Sequence, residues 1–281
     1  MNALKTWAAP HRAAVEHALG GLFHDAWPAP FGAMCRYPLL TGGKRIRPLF
    51  AFAAYEAVSG APDDRDGAMA AALAVELIHT YSLVHDDLPC MDDDDERRGK
   101  PTVHIQYGEN NAVLVGDALL TEAFRVLSRA SAPAAEVRLR LVEELSAASG
   151  YLGMIGGQAR DVGVGGPVTE ADDLIGLHAR KTGQLIRSAG RMGALSGGAT
   201  EAQLAALTDY AEAVGLAFQL ADDLLDLDED TDEPSFPKLL GVEATRERCA
   251  ALSARAQEAV AGFDRAEPLR MLARYTIERT I

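Results

Sequence analysis

Two short acidic clusters, each set against a long apolar segment, constrain this chain more than any other feature. The first, Asp86-Asp87-Leu88-Pro89-Cys90-Met91-Asp92, closes the apolar run Val75 to Val84 and continues through Asp93, Asp94, Asp95 and Glu96. The second, Asp222-Asp223-Leu224-Leu225-Asp226, lies inside the apolar stretch Val214 to Leu227. Both stretches read as helices that are apolar nearly all round, as helices inside a bundle are. The first candidate runs from Asp66 to His85 and the second from Gln203 to Leu227. No alternating strand pattern or Asn-Gly hairpin signal competes with them.

Most acidic runs are solvated helix ends. Here, however, acids at the end of the first helix would face the negative pole of its macrodipole. In the second, Asp222 and Asp226 are four apart and Asp223 and Asp226 three apart, so they share a face and repel by a few tenths of a kcal/mol per pair. Apolar neighbours raise that penalty unless a cation neutralises it. Carboxylates from two facing helices can hold Mg²⁺, which keeps several waters and bridges to substrate phosphates.

The remaining breaks agree with one helical domain over residues 1–281. Gly60-Ala61-Pro62, Ser131-Ala132-Pro133, Gly163 to Pro167 and Ser196-Gly197-Gly198 separate helical segments, and Trp27 to Gly32 reads as a linker. Aromatic residues make up only 6% of the chain while alanine is abundant, which favours helix over sheet. No uninterrupted apolar run reaches the roughly 18 to 20 residues of a membrane span. The first twelve residues lack a signal-peptide pattern. Cys35, Cys90 and Cys249 are too far apart in sequence for a metal motif or a disulfide framework, so a cytoplasmic protein is expected. A net charge of −14 argues against nucleic acid as a partner.

Bases fall where an anion would need them. Gly42-Gly43-Lys44-Arg45-Ile46-Arg47-Pro48 combines a pliable backbone with cations at the mouth of a helix. Lys181-Thr182-Gly183-Gln184 interrupts another helix with donors, marking a local break.

Together these motifs resemble the trans-prenyl diphosphate synthases, in particular the bacterial farnesyl/geranylgeranyl diphosphate synthase branch. Gly42 to Pro48 looks like that family's Gly-Gly-Lys-x-x-Arg-Pro signature. Leu77 to His85 leads into its first aspartate motif, trailed by Arg97-Arg98-Gly99-Lys100-Pro101-Thr102. Gly157-Gln158-x-x-Asp161, Lys181-Thr182-Gly183 and Phe218-Gln219-x-x-Asp222-Asp223-x-x-Asp226 follow in the family's order.

The resemblance implies an all-α bundle of about ten or more helices around a deep central cavity, assembled as a homodimer. It implies joining of isopentenyl diphosphate to an allylic diphosphate, dimethylallyl or geranyl, with farnesyl diphosphate (C15) as product; geranylgeranyl diphosphate is the alternative. By the same resemblance, Asp86, Asp92 and Asp222 would ligate Mg²⁺, three ions per site, with Asp87, Asp223 and Asp226 in support. Arg97, Lys181, Thr182 and Gln219 would bind the allylic substrate, and Lys181 would join the aspartates as a catalytic residue. Lys44, Arg47, His79 and Arg98 would bind isopentenyl diphosphate. Tyr81, with Ser82 beside it, would set product length. One departure stands out: the stretch after Asp226 is short, and acidic where relatives carry lysines. A class I terpene cyclase would pair one such motif with an Asn/Ser/Glu type, and a non-catalytic partner subunit would have lost aspartates. This chain keeps both motifs.

Overall fold

The computed structural model describes residues 2–62, 64–227 and 234–278, and it is built almost wholly of helices. α1 (Asn2–Gly20), α2 (Ala29–Leu40), α3 (Ile46–Ser59), α4 (Asp66–Asp86), α5 (Val103–Tyr107), α6 (Glu109–Arg129) and α7 (Ala135–Ser149) form the first part. α8 (Met154–Asp161), α9 (Ala171–His178), a π-helical turn (Ala179–Gly183), α10 (Gln184–Ser196) and α11 (Glu201–Leu225) follow. α12 (Phe236–Leu240), α13 (Val242–Ala259) and α14 (Glu267–Glu278) complete the order. The acidic stretch expected to be short and poor in cations falls largely on 228–233, outside the described residues.

The two long helices stand where the apolar pattern put them. α11 begins with a capping box, in which the Thr200 side chain accepts from the Gln203 backbone and Gln203 answers at the Thr200 N–H. α4 is buried along Ala70 to Ile78, which is why no polar stripe interrupts its sequence. Its length and composition, 21 residues with mean hydropathy 1.4, would suit a membrane crossing, yet 78% of that window is buried inside the bundle. A fully enclosed core helix has the same composition for the same reason.

α10 lies at the centre, packed against α3, α4, α7 and α11. The approach to α3 is backbone-close, since a Cβ at Gly193 would meet the Ala51 carbonyl at 2.0 Å. α4 packs against α3 on one side and α6 on another. A second apolar cluster of Leu174, Ala217, Leu220, Ala221, Phe236 and Cys249 joins α9, α11, α12 and α13.

Two sequence expectations need correction. Trp27 to Gly32 is not all linker: α2 already starts at Ala29. Position 32, inside that helix, has room only for glycine, because a Cβ there would meet the Phe23 carbonyl at 2.2 Å. The chain also contains a two-stranded hairpin, β1 (Glu96–Arg97) and β2 (Lys100–Pro101). Strands of two residues are too short to show alternation.

Candidate active site

The ends of α4 and the starts of α3 and the hairpin meet at one face of the bundle. Arg98 and Gly99 form the hairpin turn with φ of 57° and 74°, the left-handed pair a tight primed turn demands. The non-glycine member is held by its side chain, whose Nη1 donates to the Gly42 carbonyl. Arg97, one residue earlier, turns the other way: its Nε donates to Asp87 Oδ1 at 2.6 Å and its Nη2 to Asp94 Oδ2 at 3.0 Å. Adjacent arginines therefore serve different partners.

A cavity of about 590 Å³ opens among Lys44, Arg47, His79, Arg98, Thr182 and Gln219. Every basic or polar residue expected at the isopentenyl diphosphate site lines it. Beneath them is a pair that the sequence reading did not single out. Arg45, in left-handed backbone with φ 53°, buries its guanidinium on Glu76 Oε1 at 2.7 Å and donates to the Leu39 carbonyl at 2.6 Å. That contact fixes the loop that carries Lys44 and Arg47. Glu76 is the one acid amid Val75, Leu77 and Ile78, and such a buried charge requires a partner.

With Glu76 engaged by Arg45, the remaining cations face one another. Arg47 Nε is buried without a partner, and burial with the neighbouring Arg98 pulls its pKa down to about 10 despite Glu76. His79 is held neutral, its pKa well below the usual imidazole value, by burial and then by Arg47 and Arg98. A positive, desolvated cavity of this kind favours an anion.

A second cavity of about 420 Å³ shares Arg47, His79 and Thr182 with the first and runs past Tyr81, Ser82, His85 and Asp86 to Met91, Met154, Ile155 and Val162. Its mouth carries the expected Asp86 and Lys181. Asp86 has its pKa raised to about 6, chiefly by burial and further by Asp92, against the pull of Lys181. The Asp92 N–H donates to the Asp86 carbonyl at 2.8 Å, so the acidic run folds back over the end of α4. Lys181 stands in the π-helical turn, where the sequence called for a break, and is ion-paired with Asp161. Gln158, in the same wall, has both amide atoms buried without a partner.

The second aspartate motif is divided. Asp226 ends α11 and is exposed, while Asp222 and Asp223 are half-buried on the last turns. Asp223 Oδ2 accepts the Phe236 N–H at 2.7 Å, which latches α12 to α11. Gln219 reaches His178 Nδ1 at 3.1 Å. None of the three aspartates lines either cavity. Among the described residues no three His, Cys, Asp or Glu side chains form a ready-made metal cage, so Asp86, Asp92 and Asp222 do not enclose an ion by themselves. Their all-oxygen donor set nonetheless fits Mg²⁺, which is commonly held by one or two carboxylates, waters and substrate phosphates.

The latch gives an expected result. Asp223→Ala leaves the Phe236 N–H unpaired and lowers stability by about 1 to 3 kcal/mol, whereas Asp223→Asn keeps an acceptor oxygen and stays within about 1 kcal/mol of wild type. Thermal unfolding of the two variants checks it, and equal losses would disprove the latch.

His178 gives another. Burial holds its pKa down at about 4, with Asp161 opposing, and His79 is lowered in the same direction. Below the ordinary value of about 6.5 the unfolded chain therefore binds protons that the folded chain refuses. Each histidine then removes stability as pH falls through that window, by up to about 1.4 kcal/mol per pH unit. Asp86 titrates with the opposite sign. The measurement is accordingly a difference in stability against pH between wild type and His79→Asn/His178→Asn, and the variant should show the flatter acid limb. Parallel curves between pH 7 and 5 would count against it.

An all-helical bundle whose cationic cavity shares Arg47, His79 and Thr182 with a more apolar one, lined also by Asp86, suits diphosphates with hydrocarbon tails. The chain belongs to the polyprenyl synthetase family, whose model matches residues 29–271, and it is a short-chain prenyltransferase. It is 45% identical over 260 residues to geranylgeranyl pyrophosphate synthase 11 of Arabidopsis thaliana, covering 85% of this chain and 72% of that one. It is 45% identical over 229 residues to the farnesyl diphosphate synthase of Escherichia coli, covering 76% of each. The solved apo structure of an FPP/GFPP synthase from Zymomonas mobilis superposes with a TM-score of 0.92 at 37% identity, covering 98% of this chain and 100% of that one.

Proposed function

We propose that the chain condenses isopentenyl diphosphate with dimethylallyl or geranyl diphosphate, releases pyrophosphate, and makes farnesyl diphosphate as its main product. The observation that carries this reading is the shared wall of Arg47, His79 and Thr182 between the cationic cavity and the apolar one. It would hold one diphosphate beside the chain that the other substrate must extend.

In this reading Lys44, Arg47 and Arg98 grip the isopentenyl diphosphate as cations, and neutral His79 hydrogen-bonds it. Arg97, Lys181, Thr182 and Gln219 hold the allylic diphosphate. Asp86, Asp92 and Asp222 would hold Mg²⁺, which when bound neutralises charge gathering on the departing pyrophosphate. The apolar side chains of the second cavity, Leu83, Met91 and Met154 among them, would shield the allylic cation until the isopentenyl double bond attacks it. The proton then lost passes to the released pyrophosphate.

A C20 product is the second reading, supported by the similarity to the Arabidopsis geranylgeranyl pyrophosphate synthase. We further read the enzyme as one polyprenyl synthase domain acting as a cytoplasmic homodimer. Exposed Val113 and Leu114 on α6 supply apolar surface for a second copy. Incubation of the purified protein with isopentenyl diphosphate and each allylic diphosphate, with Mg²⁺ or EDTA, followed by sizing of the products, tests the reaction. Light scattering tests the dimer. Absence of any elongated product with Mg²⁺ would reject the proposal.

A further inference from the structure

Two rings, not one, line the second cavity on α4. Tyr81 and His85 are one helical turn apart on α4 and meet edge to face, with centroids 5.7 Å apart. Both line the cavity. His85 is held from behind by α6: its Nε2–H donates to the Val113 carbonyl at 3.1 Å, which fixes the tautomer. The same helix carries Gly116, where a Cβ would stand 2.0 Å from His85 Nε2 and 2.3 Å from Cδ2. Those are atoms of a rigid ring, so no side chain fits there while His85 stays in place. A glycine in mid-helix costs about 1 kcal/mol relative to alanine. The seat of His85 gives that glycine its reason.

Resting on the proposed reading that the growing hydrocarbon occupies this cavity, we propose that His85 is a specificity-determining residue for product length and Gly116 its positioning residue. The imidazole is clamped between α6 and the cavity. Filling the seat drives it one way only, into the space of the chain. Removing the ring lowers the wall and strips Tyr81 of its edge contact. Opposite substitutions should therefore move product length in opposite directions.

The test uses the full chain with Mg²⁺, isopentenyl diphosphate and either dimethylallyl or geranyl diphosphate, with products sized by chromatography. Gly116→Ala should raise the C10-to-C15 ratio from dimethylallyl diphosphate at least several-fold. It should also depress kcat/KM for geranyl diphosphate more than for dimethylallyl diphosphate. His85→Ser should raise the C20 fraction at least several-fold, while His85→Gln, which retains an amide donor for Val113, should stay nearer the wild-type distribution. Circular dichroism establishes folding, and if Gly116→Ala does not fold, His85→Ser decides alone. A folded His85→Ser enzyme with wild-type product ratios overturns the proposal. If Tyr81→Ala changes those ratios in the same assay, the reading of the cavity survives that failure. If Tyr81→Ala leaves them unchanged as well, both fall.

Discussion

Asp86→Asn should lower kcat about 10² to 10³-fold and at the same time raise the thermal stability of the metal-free protein. The activity loss follows from removing roughly 3 to 4 kcal/mol of charge stabilisation around the departing diphosphate. The stability gain follows from position. Asp86 ends α4, at the negative pole of the helix, half-buried and beside Asp92. Its pKa is raised to about 6, so above that pH the folded state holds a charge it would rather shed, and stability is forfeited as pH climbs from the unfolded value of about 3.9 to about 6. Allowing for solvent screening of a partly exposed group, the relief at pH 8 is on the order of 1 to 2 kcal/mol. Added Mg²⁺ should reverse the order, stabilising wild type by mass action and the variant little. Asp222→Asn should share the loss of turnover. Melting curves with EDTA and with Mg²⁺, paired with steady-state rates, read all of this. Wild-type turnover in EDTA would sink the metal assignment, and a lower melting temperature for Asp86→Asn in EDTA would sink the strain argument.

What the sequence made legible was set by periodicity and by charge out of place. α4 was plain because a helix enclosed over most of its length leaves no polar stripe. α11 was plain because apolar residues recur along its buried face while Asp209 and Glu212 stand exposed. Lys181-Thr182-Gly183 announced a break that is the π-helical turn. Gly42 to Arg47 was readable as an anion cradle, but the strut beneath it was not. Arg45 and Glu76 lie 31 residues apart, and only the tertiary fold brings them to 2.7 Å. The acid's isolation in an apolar run was the available signal. The resemblance gave the adjacent Arg97 and Arg98 different substrates, but the turn at Arg98 and Gly99 that sends their side chains to different partners was not legible. Likewise Asp223 was grouped with Asp222 and Asp226 by spacing, while its bond to the Phe236 N–H depends on the return of α12, which no helical spacing encodes.

Tyr81→Ala should shift the main product from C15 toward C20 or longer. Tyr81 lies five residues before Asp86, about 7 to 8 Å along the axis at 1.5 Å per residue, which in the proposed reading is below the point where elongation starts. Ser82, nearly in line with Asp86, also lines the cavity but is too small to close it. A tyrosine that merely packs in a core satisfies its hydroxyl. Here the ring is 5% exposed and its hydroxyl is buried without a hydrogen-bond partner. Burial, followed by the nearby Asp86, pushes that hydroxyl's pKa up to about 12, so it stays neutral throughout the working range. In the proposed reading the Tyr81 ring, only 5% exposed and part of the cavity lining, is the bulky group that a longer chain would meet. Overall similarity does not choose the product, because the farnesyl and geranylgeranyl synthases quoted above are equally identical to this chain at 45%. In the proposed reading the Tyr81 ring, which lines the second cavity, is what favours the C15 product. Truncation to alanine also carries a cavity penalty of about 3 to 5 kcal/mol, so the quantity to read is the C20-to-C15 ratio in protein shown to be folded, not the total rate. A folded Tyr81→Ala enzyme with an unchanged ratio would move the floor of the cavity elsewhere.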